Sequence, residues 1–145
     1  MGIWNSRPDL SILNALSDNT LVDHLGIKIV EVGDDYLKAT MPVDYRTHQP
    51  MGLLHGGASV ALAETLGSIG AYLCIDGSKH SCVGLEINAN HLRPVRKGLV
   101  TAVATPIRLG KMTQVWEIRV YDDRDHLVCI SRLTMAVIKK KVAAE

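Results

Sequence analysis

The sequence predicts an α+β fold in which a curved antiparallel sheet wraps around one long central helix. One apolar stretch, His55 to Ile75, is long enough for such a helix and contains a single charged residue, Glu64. Two alternating segments precede this stretch and four follow it, which is the period-two pattern of half-buried strands. Because no repeat or low-complexity linker interrupts the 145 residues, we expect one domain spanning residues 1–145.

The elements before the long helix follow from capping and turn residues. Asp9 is expected to cap a short helix over Leu10–Leu16, and Thr20–Leu25 is expected to form another helical turn. The segments Ile27–Val32 and Tyr36–Val43 alternate on either side of a Gly-Asp-Asp turn, which predicts a β-hairpin.

Four strands are predicted after the long helix. The alternation is clearest in the third of them, where Trp116 and Ile118 face one way while Glu117 and Arg119 face the other. The four segments are Cys82–Leu92, Leu99–Arg108, Thr113–Asp122 and Leu127–Ile138.

Composition and charge restrict the partners and the compartment. The net charge of +1 provides no general attraction for nucleic acid or for an anionic membrane, so we expect neither as a partner. The three cysteines lie in apolar runs without a Cys-x-x-Cys pair, which indicates reduced thiols in a cytoplasmic protein. No signal-peptide pattern is present, and the serines and glycines within His55–Ile75 favour a buried helix over a membrane span.

Glu64 and the glycines that open the apolar helix form a candidate reactive site. A lone carboxylate in an apolar helix is costly unless paired or protonated, so such a residue commonly serves chemistry or a specific partner. Gly56 and Gly57 lie at the helix N-terminus, where free N–H groups and the helix dipole can hold an oxyanion. A donor and a carboxylate are what acyl transfer requires. The structural alternatives are that Glu64 only bonds backbone amides and that the glycines only allow close packing.

One chain is not expected to bring these groups to the same reacting atoms. The Gly56 amide and Glu64 should lie roughly 12 Å apart along the helix, whereas each must come within about 3 Å of the reacting atoms. A two-fold dimer with antiparallel helices would place Glu64 of one copy near Gly56 of the other. We therefore predict an obligate homodimer with composite sites. Ser68, one turn after Glu64, can hydrogen-bond the carboxylate or its water.

Two segments carry a family resemblance. They are Gln49–Gly57 (QPMGLLHGG) followed by Glu64 and Ser68, and Val83–Pro94 (VGLEINANHLRP). Together they resemble the hotdog-fold acyl-CoA thioesterases, in the PaaI-like branch with the glutamate site of the Arthrobacter-type 4-hydroxybenzoyl-CoA thioesterases. Within this branch the sequence looks most similar to the 1,4-dihydroxy-2-naphthoyl-CoA hydrolases of menaquinone synthesis and to the enterobactin proofreading thioesterases. Ser68 stands where the Arthrobacter-type enzymes have threonine.

The resemblance implies a role for each residue of the motif. Glu64 would be nucleophile or general base, and the sequence leaves open whether a covalent anhydride or a water attack follows. Gly56 from the partner chain would donate its N–H to the oxyanion. Gln49 would orient the carbonyl or the water, and His55 would hydrogen-bond near the thioester, although His55 could equally bond backbone at the end of a loop. The resemblance also implies a dimer of dimers, and neither a metal nor a separate cofactor is expected.

A run of basic residues is a candidate site for coenzyme A. Between Ile87 and Trp116 there is no Asp or Glu. A solvated basic rim would explain this run, but Arg and Lys also attract phosphate, and the resemblance places the nucleotide near the ends of these strands. The candidate ligand residues are Asn90, His91, Arg93, Arg108, Gly110 and Lys111.

Three functional classes remain open at this point. The favoured class is an acyl-CoA thioesterase with an aromatic substrate, or alternatively one acting on fatty acyl-CoA or proofreading an aryl carrier protein. The second is a non-catalytic acyl-CoA-binding module. The third, a dehydratase of the same fold, is disfavoured because its His-Phe-Pro motif is absent and the chain contains no phenylalanine. The apolar helix surface expected to admit the acyl group consists of Val60, Ala61, Leu62, Gly67 and Ala71.

Overall fold

The computed structural model describes residues 2–142, and the predicted α+β hotdog fold is confirmed. Three helices and six strands follow one another within these residues. They are α1 (Leu10–Ala15), α2 (Leu21–His24), β1 (Lys28–Val32), β2 (Leu37–Val43), α3 (Gly56–Leu73), β3 (His80–His91), β4 (Gly98–Leu109), β5 (Thr113–Tyr121) and β6 (Leu127–Lys139). Within residues 2–142, no helix combines the length and apolar character needed to cross a membrane.

The six strands form a single antiparallel sheet in the order β1-β2-β4-β5-β6-β3. The strand that follows α3 is β3. It lies at the far edge of the sheet and pairs with neither β2 nor β4, its neighbours in sequence. As a result β1 and β3 are the two edge strands. Among the described residues β3 pairs only with β6, in a register that shifts between Gly84 and Glu86.

One face of this sheet packs against α3. The inward-facing side chains of β2, β4 and β5 alternate with more exposed neighbours, as in strands with one buried face. Helix α3 approaches the sheet closely because it carries glycine at positions that face large side chains of the sheet. A Cβ at Gly67 would stand 2.6 Å from the side chain of Leu133, and one at Gly70 would stand 2.8 Å from the ring of Trp116.

The predicted boundaries agree with the observed elements to within about two residues at most ends. Asp9 caps α1 as expected, since its carboxylate accepts hydrogen bonds from the amides of Ser11 and Ile12. Thr20 lies at the N-cap of α2 but makes no side-chain capping bond. Helix α3 is shorter than the apolar stretch His55–Ile75, because the residues at the two ends of that stretch serve as caps and turns.

Candidate active site

Helix α3 begins with a histidine cap. His55 adopts an extended conformation, and its Nδ1 accepts a hydrogen bond from the Gly57 amide at 2.7 Å. This bond requires an unprotonated Nδ1, so the neutral imidazole carries its proton on Nε2. The carbonyl of His55 also accepts a bond from Ala58 at 3.0 Å. His55 therefore serves the helix terminus, and its exposed Nε2–H remains as a donor.

This capping leaves one amide of the first turn unused. Gly57 and Ala58 already donate to His55, whereas the Gly56 N–H makes no hydrogen bond within residues 2–142. His91, from the end of β3, packs on the same point, and a Cβ at Gly56 would stand 2.9 Å from His91 Nε2. The helix terminus thus presents one free N–H beside an imidazole, with the positive end of the helix dipole behind it.

Gln49 and His91 share a cleft with this free amide. The cleft has a volume of about 380 Å³, and Gln49, Gly56, His91 and Arg93 line it. The side-chain oxygen of Gln49 accepts a hydrogen bond from the Met51 amide. Its amide nitrogen has no partner within the described residues, so it remains available to a ligand carbonyl or water.

Glu64 lies in the middle of α3 against a glycine of the edge strand. A Cβ at Gly84 would stand only 2.7 Å from Glu64 Oε1, so this position on β3 has to be glycine for the carboxylate to lie where it does. Within residues 2–142 Glu64 forms no ion pair and no hydrogen bond. Burial raises the pKa of Glu64, because desolvation disfavours the charged carboxylate.

An apolar groove lies over Glu64. It has a volume of about 760 Å³, runs between α1 and α3, and contains Glu64 and Ser68 in its wall. The structure therefore brings these two predicted residues together. The Ser68 hydroxyl lies 3.8 Å from Met135 Sδ, a weak contact that leaves it free to bond a ligand or a water.

Glu64 and Gly56 open into separate cavities within one chain. The cleft of the free amide contains neither Glu64 nor Ser68, and the apolar groove contains neither Gly56 nor Gln49. The predicted site residues thus form two groups. Gln49 and Gly56 lie around the start of α3 and supply donors, whereas Glu64 and Ser68 lie further along this helix and supply the carboxylate and a hydroxyl.

The predicted coenzyme A residues do not form one surface within a chain. Arg93 follows β3 and lines a cavity of about 840 Å³ together with Arg96, Lys97 and Arg124. Arg108, Gly110 and Lys111 lie at the β4–β5 turn, which is at the opposite end of the sheet. Within one chain these candidate residues lie apart, because β4 extends from one end of the sheet to the other.

The cavity beside Arg93 is also less basic than the sequence suggested. Asp122 and Asp123 line it, although they lie far from Arg93 in sequence. The Arg93 guanidinium contacts His126 Nδ1 at 3.2 Å, and that nitrogen lies 3.2 Å from the Asp122 carboxylate. The backbone amide of His126 is the main cause that lowers the pKa of Asp122, so this carboxylate is charged beside the arginine.

Two further sets of predicted residues lie away from the two cavities. Asn90 is exposed on the face of β3 opposite His91, because side chains alternate along a strand, and it lines neither active-site cleft. The small residues of α3 that were expected to admit the acyl group do not line the groove. Leu62, Gly67 and Ala71 are buried against the sheet, and the groove is lined instead by another face of the helix.

Sequence reasoning missed Gly84 and the contribution of α1. Gly84 does carry a signal, since a glycine inside a strand often marks a bulge or a close approach. Helix α1 gave no functional signal, because its role depends on which element it faces in three dimensions.

A hotdog fold that carries a glutamate in an apolar groove and a free helix-terminal amide is consistent with thioester hydrolysis. Comparison with known proteins agrees. The family model of the thioesterase superfamily matches residues 51–129, and the chain belongs to this family. A variant of a Pseudomonas aeruginosa thioesterase, solved with alanine in place of a glutamine, superposes with a TM-score of 0.95 at 56% identity, over 96% of this chain and 100% of that one.

Two curated relatives have named activities. The 1,4-dihydroxy-2-naphthoyl-CoA hydrolase of Escherichia coli is 52% identical over 136 residues, covering 94% of this chain and 99% of that protein. The proofreading thioesterase EntH of Cronobacter turicensis is 55% identical over 137 residues, covering 94% of this chain and 98% of that protein.

Proposed function

We propose that the protein hydrolyses acyl-CoA thioesters, with Glu64 as nucleophile or general base. The observation that supports this most directly is the environment of Glu64, which has no partner within residues 2–142 and contacts Gly84 at the wall of an apolar groove. Because desolvation raises the pKa of Glu64, its carboxylate is a stronger proton acceptor than an ordinary glutamate. Ser68 lies in the same groove and can hold the attacking water or the carboxylate.

The chemistry requires a donor that faces the developing oxyanion. In the general-base route, water attacks the thioester carbonyl as Glu64 takes its proton, and the carbonyl oxygen becomes an oxyanion bonded to the Gly56 N–H. Collapse of this intermediate breaks the C–S bond, and the thiolate leaves and is protonated. In the covalent route, the Glu64 carboxylate attacks the carbonyl, the C–S bond breaks as the thiolate leaves and is protonated, and water hydrolyses the resulting anhydride to release the acid and regenerate Glu64.

We propose further that each site is built from two copies of the chain. Support comes from the edge strand β3, which is twelve residues long, pairs on one side only, and is mostly exposed. Such an edge is a template for pairing with another strand. Antiparallel pairing of two β3 strands reverses one copy, and therefore places Gly84 and Glu64 of one copy toward the His91 and Gly56 end of the other.

The same pairing would account for the separated basic residues. Reversal of one copy brings its Arg108–Lys111 turn to the end of the shared sheet that carries Arg93 of the other copy. We propose that these residues bind the phosphates of coenzyme A from two chains, since arginine and lysine are the usual phosphate ligands. Asn90 lies on the outer face of β3 and would serve the nucleotide end of the ligand only.

For the acyl group we propose an aromatic acyl-CoA, with 1,4-dihydroxy-2-naphthoyl-CoA in menaquinone synthesis as first choice. The proposal is supported by the name of the relative from E. coli. The second candidate is proofreading of misacylated carrier protein, which the comparable identity to EntH supports. Because both candidates use the same thioester chemistry, the acyl group and the carrier distinguish them.

The experiment is thiol release from aromatic and fatty acyl-CoA esters of increasing length, and from an acylated aryl carrier protein. Wild type and Glu64→Gln are compared, and light scattering verifies that both have the same mass. We expect wild-type turnover that falls about 10²- to 10⁴-fold in the variant. Turnover that survives in Glu64→Gln would contradict the assigned role, and CoA esters that bind without turnover would identify a binding module.

A further inference from the structure

We propose that His126 is a positioning residue for Arg93, and that its imidazole holds the guanidinium in the orientation in which this arginine binds phosphate. The inference rests on the proposed binding of coenzyme A phosphates by Arg93. It adds a residue of the β5–β6 turn that is separated from Arg93 by 33 positions in the sequence.

The orientation of Arg93 matters because this residue stands where two cavities meet. It lines the cleft of about 380 Å³ that contains the free Gly56 amide, and it also lines the larger cavity of about 840 Å³. His126 lines only the larger cavity. The contact between the two side chains therefore turns the guanidinium toward the larger cavity and away from the free amide.

The contact fixes the guanidinium without occupying all of its donors. Arg93 Nη1 lies 3.2 Å from His126 Nδ1, and within residues 2–142 this imidazole is the side-chain partner of Arg93. A guanidinium can only donate, so Nδ1 accepts and the neutral imidazole carries its proton on Nε2. One N–H is used in this way, and the remaining fork of donors is free for a phosphate.

His126 also separates Arg93 from a carboxylate. The Asp122 carboxylate lies 3.2 Å from the same Nδ1, on the far side of the imidazole from the guanidinium. Arg93 and Asp122 form no ion pair within residues 2–142. Because a direct ion pair would compete with phosphate for the guanidinium, this separation keeps Arg93 available to an anionic ligand.

The β5–β6 turn holds His126 through its backbone. Asp122 Oδ1 accepts hydrogen bonds from the amides of Arg124 and His126, both at 2.9 Å, and the Asp122 amide donates to the His126 carbonyl at 3.0 Å. The His126 side chain is 42% exposed. Its replacement therefore removes the contact with Arg93 while leaving the bonds of the turn and the core packing in place.

The test is calorimetry of coenzyme A binding at pH about 8, where an ordinary imidazole is neutral. His126→Asn keeps an acceptor close to the position of Nδ1, whereas His126→Leu keeps a side chain of similar size without one. We expect the Kd of coenzyme A to rise about three- to tenfold in His126→Leu and to change little in His126→Asn. Thermal unfolding verifies that each variant is folded.

A double-mutant cycle with Arg93→Ala distinguishes positioning from a general effect on the turn. His126→Leu should weaken binding in the wild-type background and have no further effect when Arg93 is already alanine. Equal weakening in both backgrounds would overturn the proposal, since His126 would then act without Arg93. So would a wild-type Kd in His126→Leu.

The same measurements keep this proposal separate from those on which it rests. If Arg93→Ala weakens binding and His126→Leu does not, the positioning role fails while the phosphate role of Arg93 stands. If Arg93→Ala leaves the Kd of coenzyme A unchanged, the phosphate role fails and the positioning role fails with it. Binding of coenzyme A requires no turnover, so none of these outcomes depends on hydrolysis.

The tautomer of His126 provides a readout that is independent of any ligand. Nitrogen NMR distinguishes the two ring nitrogens, and the signals of His126 are those absent from His126→Asn. We expect the Nε2–H tautomer in wild type and a shift to the Nδ1–H tautomer in Arg93→Ala, where Nδ1 can donate to Asp122 instead. An Nδ1–H tautomer in wild type would overturn the proposal, because that nitrogen could not accept from Arg93.

Discussion

The carboxylate of Glu64 lies directly against the backbone of Gly84, so that a Cβ at position 84 would stand 2.7 Å from Oε1. Helix α3 supplies the carboxylate and edge strand β3 supplies the space for it. Glu64 and Gly84 lie against each other because the sheet order places β3 beside β6. The position of the carboxylate therefore depends on a contact between two elements as much as on the glutamate itself.

Gly84→Ala should displace the carboxylate without unfolding the protein. We expect kcat to fall about tenfold or more, since small misplacements of a catalytic group are costly, while KM changes little. Steady-state kinetics measures this, and thermal unfolding of Gly84→Ala verifies that the variant remains folded. Wild-type kcat in Gly84→Ala would show that the close approach has no role.

The raised pKa of Glu64 predicts a pH-dependent stability penalty. Because the folded state binds this proton more tightly than the unfolded chain does, the protein loses stability as pH rises from the usual glutamate pKa through the raised one. Glu64→Gln removes the penalty, so its Tm should exceed that of wild type at neutral pH and approach it below pH about 4.5. A Tm difference that is constant from acidic to neutral pH would contradict this account.

His55 should contribute to stability through its cap. His55→Ala removes the acceptor for the Gly57 amide and should cost about 1 kcal/mol of the free energy of unfolding, whereas His55→Asn should retain most of it. Urea unfolding measures both variants. If both substitutions leave stability unchanged but abolish turnover, His55 acts on the substrate and not on the helix.

Arg93 should distinguish substrates that carry the nucleotide from those that lack it. Arg93→Ala should raise KM for acyl-CoA about tenfold through loss of a charge-assisted bond to phosphate. It should leave KM unchanged for an acyl thioester of a short thiol. Arg119→Ala, which removes an exposed arginine paired with Glu117 at 3.0 Å, is the control. Equal effects on both substrate types would remove Arg93 from phosphate binding.

The fold could be predicted largely from local patterns, whereas its sheet order could not. Caps and alternation locate α1, the hairpin and the four later strands, because those signals lie within a few residues of one another. The pairing of β3 with β6 joins residues such as Gly84 and Met135, and nothing local specifies that partner.

The candidate site could likewise be predicted only in part from the sequence. Glu64 is conspicuous as the single charge of an apolar helix, and Gly56 as a glycine at its start. The acid-free run from Ile87 to Trp116 spans a long strand, so its basic residues lie at opposite ends of one chain's sheet, which the sequence did not indicate. Asp122 lies outside this acid-free segment of the sequence, yet it lines the cavity beside Arg93.

The composite site is tested most directly with two inactive variants mixed in one dimer. Gly56→Pro removes the N–H at the first helical position, where proline is tolerated, and Gly56→Ala adds the same Cβ beside His91 but keeps the N–H. We therefore expect Gly56→Ala to retain far more activity than Gly56→Pro.

The decisive measurement is thiol release after Glu64→Ala and Gly56→Pro chains are unfolded together and refolded. A randomly mixed dimer population should recover about a quarter of wild-type activity, because half the dimers are mixed and each has one intact site. Native mass spectrometry establishes that mixed dimers form. Mixed dimers with no more activity than either parent would contradict the claim that Glu64 and Gly56 act across the two chains.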